Sequence, residues 1–218
     1  MYWQLNRIIY PVYNLGSGKR LAIWVQGCSQ ACRGCISPDL WNREKGREVD
    51  VLSLASGILE NNEQFDGITI TGGEPFDQYE ALISFSSFIK LKSDLEILVF
   101  SGYVLEELIE KHPDQLFTKC IDYLIDGPFI QELQEDKNLR GSTNQKMYRF
   151  EVSEQADKSM TGSEISIHPI DFRKTANKWS LMLDEKNDVF MTGIPKSGDF
   201  DFITRQLRNT GIKFELNK

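Results

Sequence analysis

Three cysteines crowd into eight residues, Cys28-Ser-Gln-Ala-Cys32-Arg-Gly-Cys35, directly after the apolar run LAIWVQ of residues 21–26 and Gly27. Such crowding makes a poor disulfide framework, and thiolates are soft ligands suited to zinc or an iron–sulfur cluster. Three thiolates in one short loop match three corners of a cubane, whereas a structural zinc site asks for a fourth protein ligand. The two histidines, His112 and His168, are distant in sequence, and the fourth cysteine, Cys120, borders an apolar stretch and reads as a buried thiol. A zinc-stabilised binding module completed by His168 or Cys120 is the reading that competes with a cluster. Either way the loop follows the apolar run 21–26 and so sits in a fold that ends a strand there.

The rest of the chain supplies such a fold. Runs at 21–26, 67–71 (GITIT), 95–100 (LEILVF) and 121–125 (IDYLI) read as strands. Helical spacing of apolar residues over 49–59, 79–91 and 104–109 falls between them. Strand and helix in alternation predict an α/β fold with a parallel sheet or barrel. Ligand sites in such folds gather in the loops after the carboxyl ends of the strands. Four loops follow predicted strands here: the cysteine loop, Gly72-Gly73-Glu74-Pro75, Ser101-Gly102-Tyr103 and Asp126-Gly127-Pro128. They are expected at one rim. A hydrophobic fraction of 40% is enough for a core, and the net charge of −7 disfavours nucleic acid and anionic membranes as partners. No apolar stretch approaches 18 residues, and the opening residues lack a signal-peptide layout, so the expected location is cytoplasmic.

Five stretches resemble the radical S-adenosylmethionine (SAM) superfamily, in its glycyl-radical activating branch. Gly16-Ser-Gly-Lys-Arg20 is similar to that branch's G-P-G-x-R, and Gly27 to Cys35 to its G-C-x3-C-x-G-C, with Gly34 before the last cysteine. Pro38-x-x-Trp41 resembles the tryptophan after the cluster, and Thr71-Gly-Gly-Glu-Pro75 resembles the methionine-binding motif. Leu124 to Phe129, with Leu139 to Gln145, resembles the end of the activase domain. The resemblance implies a partial (βα) barrel over residues 1–150, with Cys28, Cys32 and Cys35 holding a [4Fe–4S] cluster whose fourth iron binds SAM. It places Gly34 and Ile36 beside the cluster, and Gly72, Gly73 and Glu74 at the methionine moiety. Ser101, Gly102 and Asp126 become candidates for ribose or carboxylate contacts. The implied reaction is reductive cleavage of SAM, giving methionine and a 5′-deoxyadenosyl radical that takes a hydrogen atom from a glycine of a partner enzyme such as anaerobic ribonucleotide reductase. The implied electron donor is a flavodoxin or ferredoxin. A small-molecule or peptide substrate is the alternative within the same chemistry.

Activases of this kind end near Gln145 to Phe150, so residues 151–218 are expected to form a small α+β extension, packed on the core as a docking element or a cover. A linker is expected at 154–163, a hairpin from 179–183 and 189–192 around a turn at 185–188, a helix from Asp199 carrying Phe200, Ile203 and Leu207, and a strand at 213–216. Gly16-Ser-Gly-Lys-Arg20 lacks the spacing of a phosphate loop and reads as a turn between strands.

Overall fold

The computed structural model describes residues 1–61, 64–135, 139–152, 165–170, 179–183, 189–193 and residue 205. The apolar run ahead of the cysteines forms a six-residue strand, almost wholly buried, as expected for a strand covered on both faces. In chain order the strands of the main sheet are β1 (Tyr2–Val12), β2 (Arg20–Val25), β3 (Arg47–Asp50), β4 (Gly67–Gly72), β5 (Glu96–Phe100), β6 (Tyr123–Asp126), β7 (Lys146–Val152) and β8 (Ile165–Pro169). They make one eight-stranded sheet in the order β3-β1-β2-β4-β5-β6-β7-β8. The four strands expected from the alternating pattern, β2, β4, β5 and β6, are its centre, and they run parallel. Antiparallel strands flank them on both sides.

The flanking strands are the ones that lack a clean pattern. β1 has register shifts between Leu5 and Arg7 and between Ile9 and Val12, so its buried residues do not keep a period of two. β3 is the four-residue edge strand Arg-Glu-Val-Asp, partly exposed and polar. The helical pattern from residue 49 therefore begins later, at α1 (Val51–Leu59). Asp50 sets this boundary, its carboxylate accepting the Ser53 N–H at 2.9 Å. The other helices are α2 (Tyr79–Lys92), α3 (Leu105–Lys111) and the single turn α4 (Phe117–Cys120).

The helices α1 to α4 pack against one side of the sheet. There Ala55, Ile58, Leu82, Phe85, Ile89, Leu108 and Phe117 bury against Ile23, Ile68, Ile70, Ile97, Val99 and Leu124. Each fully buried side chain of this size contributes roughly 1.5–3 kcal/mol. The opposite side carries two smaller clusters, one of Ile9, Val12, Leu15 and Ala22 with Trp24 and Phe100, the other of Leu98, Ile125, Leu139 and Met147.

Arg20 secures the amino ends of the parallel strands. It is fully buried, and its guanidinium donates to Thr69 Oγ1 (2.7 Å), the Ile68 carbonyl (2.7 Å), the Glu96 carbonyl (3.0 Å) and the Ser17 carbonyl (3.4 Å), with Glu96 Oε2 at 3.6 Å. Thr69 passes the chain of bonds on to the Leu15 carbonyl (2.6 Å). The Gly16-Ser-Gly-Lys segment is thus a turn wrapped around a buried arginine, at the end of β2 away from the cysteines. Lys19 N–H and Gly18 both close on Asp66, the former through a 2.7 Å bond.

The sheet does not stop at residue 150. That position falls within β7, and β8 pairs with β7 in the same sheet. The expected hairpin forms from β9 (Trp179–Leu183) and β10 (Val189–Gly193), a separate two-stranded sheet. It touches the core at Asn14, whose amide donates to the Thr192 carbonyl (2.9 Å) and Ser180 Oγ (3.3 Å). The expected linker at 154–163, the turn at 185–188, the strand at 213–216 and, apart from residue 205, the helix from 199 lie outside the described residues.

Replacing Arg20 by Leu leaves two buried carbonyls and Thr69 Oγ1 without their donor. The variant is expected to lose about 3 kcal/mol in denaturant unfolding of the cluster-free chain, while Lys19→Ala, on the exposed side of the same turn, stays within about 0.5 kcal/mol of the parent.

Candidate metal centre

The cysteine loop is closed at its base by two backbone bonds, Gly27 N–H to the Leu40 carbonyl (2.8 Å) and Cys28 N–H to the Trp41 carbonyl (3.2 Å). Leu40 is buried beneath it, and Gln26 ties the returning chain through its amide, which donates to the Asp39 and Asn42 carbonyls at 2.9 Å each. Within the loop, Cys35 N–H closes a turn on the Cys32 carbonyl (3.1 Å). All three thiols are partly exposed. Gly34 takes a positive φ of 76°, a backbone conformation that favours glycine, and a Cβ there would push aside the end of the Gln131 side chain, 2.7 Å away at Oε1. Ile36 is exposed by 52% and stands at the outer edge of the loop.

The sulfurs meet donors suited to thiolates. Burial raises the Cys28 thiol, while the Ala31 and Gln30 backbone N–H groups pull it the other way. Burial also raises Cys35, opposed by the Ser37 N–H, 3.4 Å from Sγ, and by the Trp41 side chain. Among the described residues no three His, Cys, Asp or Glu groups converge on a point where one ion could sit. A cubane makes no such demand, since each cysteine ligates a different iron. Two thiols facing N–H donors, on a loop pinned at its base, suit such a cluster. Cys120 lies apart, buried under α2 with Ser87 Oγ 3.0 Å from its sulfur.

The four strand-end loops do meet at one rim; backbone bonds join the first to the second and the third to the fourth, and the Glu74 carboxylate joins the second to the third. The Gly73 N–H donates to the Val25 carbonyl (2.9 Å), and the Glu74 N–H to the Gly27 carbonyl (2.8 Å). The Ser101 N–H donates to the Ile125 carbonyl (2.8 Å), and the Gly127 N–H to the Tyr103 carbonyl (2.9 Å). Gln131, just beyond Pro128, returns to the cysteine loop at Gly34.

At this rim Gly72 and Gly73 have a task that spacing did not reveal. A Cβ on Gly73 stands 2.1 Å from the Gly27 carbonyl oxygen, and one on Gly72 stands 2.7 Å from backbone atoms of Val25. The space a side chain would first invade is the backbone of β2 and of the cysteine loop. Glu74 is 1% exposed, and its carboxylate accepts from the Gly102 N–H (2.6 Å), the Phe76 N–H (2.9 Å) and Ser101 Oγ (3.0 Å). Burial nonetheless raises it to about 7, overcoming these donors. Asp126 is likewise buried. Its oxygens accept the Leu105 N–H (2.7 Å), satisfying the start of α3, and the Lys146 N–H (3.0 Å). Burial raises this carboxyl too. Ser101, Gly102 and Asp126 thus join neighbouring loops through bonds within the protein. Leu139 to Gln145 folds as a turn clamped on this rim, Asn144 and Gln145 donating to the Pro128 and Gly127 carbonyls (2.8 Å each).

Sequence reasoning missed Asp77 and Tyr103. Asp77 accepts from the Ser29 N–H (2.7 Å), Ser29 Oγ (2.9 Å) and the Tyr103 hydroxyl (2.9 Å). The only sequence signal was adjacency, one residue following a cysteine and two others in strand-end loops.

Residues 14–148 match a family model described as a 4Fe-4S single cluster domain. The chain belongs to this family. It is 35% identical over 145 residues to the anaerobic ribonucleoside-triphosphate reductase-activating protein of Haemophilus influenzae, covering 63% of this chain and 92% of that protein. It is 31% identical over 122 residues to the pyruvate formate-lyase-activating enzyme of Clostridium pasteurianum, covering 49% of this chain and 51% of that enzyme. Among solved structures, QueE from Escherichia coli gives a TM-score of 0.38 at 16% identity over 47% of this chain and 53% of its own, too loose a likeness to argue from. The chain is a radical SAM enzyme of the activase kind, with a [4Fe–4S] cluster and SAM as cofactors. The zinc-stabilised binding module is excluded by this membership.

Two tests follow from the rim. Gly73→Ala forces the cysteine loop and the β4 loop apart and is expected to cost more than about 3 kcal/mol in urea unfolding, against less than 1 kcal/mol for Gly57→Ala, where a Cβ meets nothing within 4 Å. Glu74 binds its proton more tightly folded than unfolded. Its contribution to stability therefore falls as pH climbs from about 4.5 to about 7 and is level above that. The cluster-free chain should lose up to about 3 kcal/mol across that window, and Glu74→Gln should flatten this part of the stability–pH curve.

Proposed function

We propose that this chain is the activating enzyme of an anaerobic ribonucleotide reductase, installing a glycyl radical on it. The observation that carries the reading is a loop with three cysteine ligands and no fourth, set at one rim with the Gly72-Gly73-Glu74-Pro75 loop. Relatives named as reductase activators, matched over nine-tenths of their length, support the same partner. Cys28, Cys32 and Cys35 would hold the cluster, leaving one iron for SAM. A bound [4Fe–4S] cluster with SAM would supply one-electron reductive cleavage of the sulfonium, and with it the means to take a hydrogen atom from a glycine.

The residues of the chain bind and orient. Gly34 and Ile36 border the cluster. Gly72, Gly73 and Glu74 shape the place of the methionine end, with Glu74 fixing the Ser101-Gly102 loop beside it. Asp126 aligns the start of α3 behind the ribose or carboxylate contacts. The parallel strands and their helices serve as the partial barrel of this enzyme class. Residues 1–150 act as the catalytic core. Residues 151–218 act as an extension that docks on it and on the partner, consistent with the Asn14 bonds to Ser180 and Thr192. A flavodoxin or ferredoxin supplies the electron. A cytoplasmic location suits this partner, and no helix among the described residues is long and apolar enough to cross a membrane.

Anaerobic reconstitution of the full chain is expected to give a brown protein with about four irons, which releases 5′-deoxyadenosine on addition of dithionite and SAM and raises a glycyl radical signal on the reductase. Cys32→Ala should lose the colour and both activities. Deoxyadenosine release stimulated by a small molecule or peptide, with no radical on the reductase, would replace the partner by such a substrate.

A further inference from the structure

The residue after Cys28 is held by a carboxylate from another loop. Asp77 follows Glu74 by three residues, on the short 3-10 turn Pro75–Gln78. Its Oδ2 accepts the Ser29 backbone N–H at 2.7 Å, and its Oδ1 accepts both Ser29 Oγ and the Tyr103 hydroxyl at 2.9 Å. Ser29 Oγ and the Tyr103 hydroxyl are themselves 2.9 Å apart. Lys111 Nζ lies 3.6 Å from the centre of the Tyr103 ring, on its face. One carboxylate therefore joins the loops after β2, β4 and β5 at the position next to a cluster ligand. Glu74 fastens the β4 and β5 loops to each other and only its backbone reaches the cysteine loop, so Asp77 is the carboxylate that grips the cysteine loop.

Resting on the assignment of Cys28 as a ligand, we infer that Asp77 is a positioning residue for the cluster. It presets the Cys28 end of the loop before iron arrives and keeps the reduction potential of the bound cluster low. Two physical effects act in the same direction. A fixed negative charge opposes adding an electron to a cluster, and N–H groups directed at cluster sulfur favour it. Asp77 supplies the charge and takes the Ser29 N–H for itself. Its carboxylate is bonded to the residue next to Cys28, which places the charge beside that ligand. A lower potential makes the reduced cluster the stronger reductant, which cleavage of a sulfonium requires.

Charge and tether can be separated by two substitutions. Asp77→Asn keeps an acceptor for the Ser29 N–H and removes the charge, whereas Asp77→Ala removes both. Tyr103→Phe leaves the charge and the Ser29 bonds in place. Loop order is read before reconstitution, as the rate of trypsin cleavage after Arg33, which is exposed in the loop. The potential is read after reconstitution, by redox titration followed by electron paramagnetic resonance. Asp77→Ala, which removes both bonds from Ser29 and the one from Tyr103, is expected to speed cleavage after Arg33 at least about tenfold. Asp77→Asn should cleave like the parent. With iron content equal to the parent, Asp77→Asn should titrate at a more positive midpoint and Tyr103→Phe at the parent's. A midpoint unchanged in Asp77→Asn overturns the electrostatic role, and an unchanged cleavage rate in Asp77→Ala overturns the tether. If the Ala chain does not fold, the Asn chain still decides the electrostatic role, and Ser29→Pro, which lacks the N–H, replaces it in the cleavage assay. A parent chain that assembles no cluster would instead defeat the ligand assignment, and the cleavage assay, which needs no iron, keeps the two failures apart.

Discussion

The rim depends on one close crossing of backbones. The Gly27 carbonyl, one residue before the first cysteine, accepts the Glu74 N–H at 2.8 Å, and Gly73 lies so near that oxygen that no side chain fits between them. The crossing lets two loops from adjacent parallel strands share one surface. Two carboxylates on the same short turn extend the joint, Glu74 inward to the β5 loop and Asp77 outward to Ser29. The buried bonds cost desolvation, which is why Glu74 is raised to about 7 while accepting from three donors.

Opposite chemistry secures the other end of the same strands. Arg20 spends every nitrogen of its guanidinium on the amino ends of β2, β4 and β5, deep in the protein. The sheet is thus held by a buried cation at one end and buried carboxylates at the other, with a helix-covered apolar layer between. The separation has a functional consequence. The loops at the carboxyl ends are fastened to each other by their own polar groups, so the cysteine loop can stay partly exposed, open to cofactor and partner, without losing its shape.

The central strands and α2 and α3 were legible because their apolar periods are regular and bounded by Gly, Pro or Ser. β6 was placed two residues early: the strand itself begins at Tyr123, although the Asp122 backbone already bonds to Ile97 and Phe150 of the flanking strands. β1 and β3 were not legible. The bulges of β1 erase its alternation, and β3 is a polar edge whose pairing with β1 spans residues far apart in sequence. The division at residue 150 came from a change in texture along the chain, yet hydrogen bonding between β7 and β8 carries the sheet across it.

The chain's order of residues was sufficient for the chemistry. The crowding of Cys28, Cys32 and Cys35 points to a metal or cluster site, and the resemblance of Gly72 to Pro75 to a methionine-binding motif points to its neighbour, because ligand softness is a local property of a short peptide. Tertiary structure alone decided what holds these pieces together. That Gly73 is needed for the Gly27 carbonyl, that Glu74 and Asp126 bond to neighbouring backbone, and that Asp77 grips Ser29 are all contacts between loops remote along the chain. Such contacts depend on strand order and register, which no local period encodes.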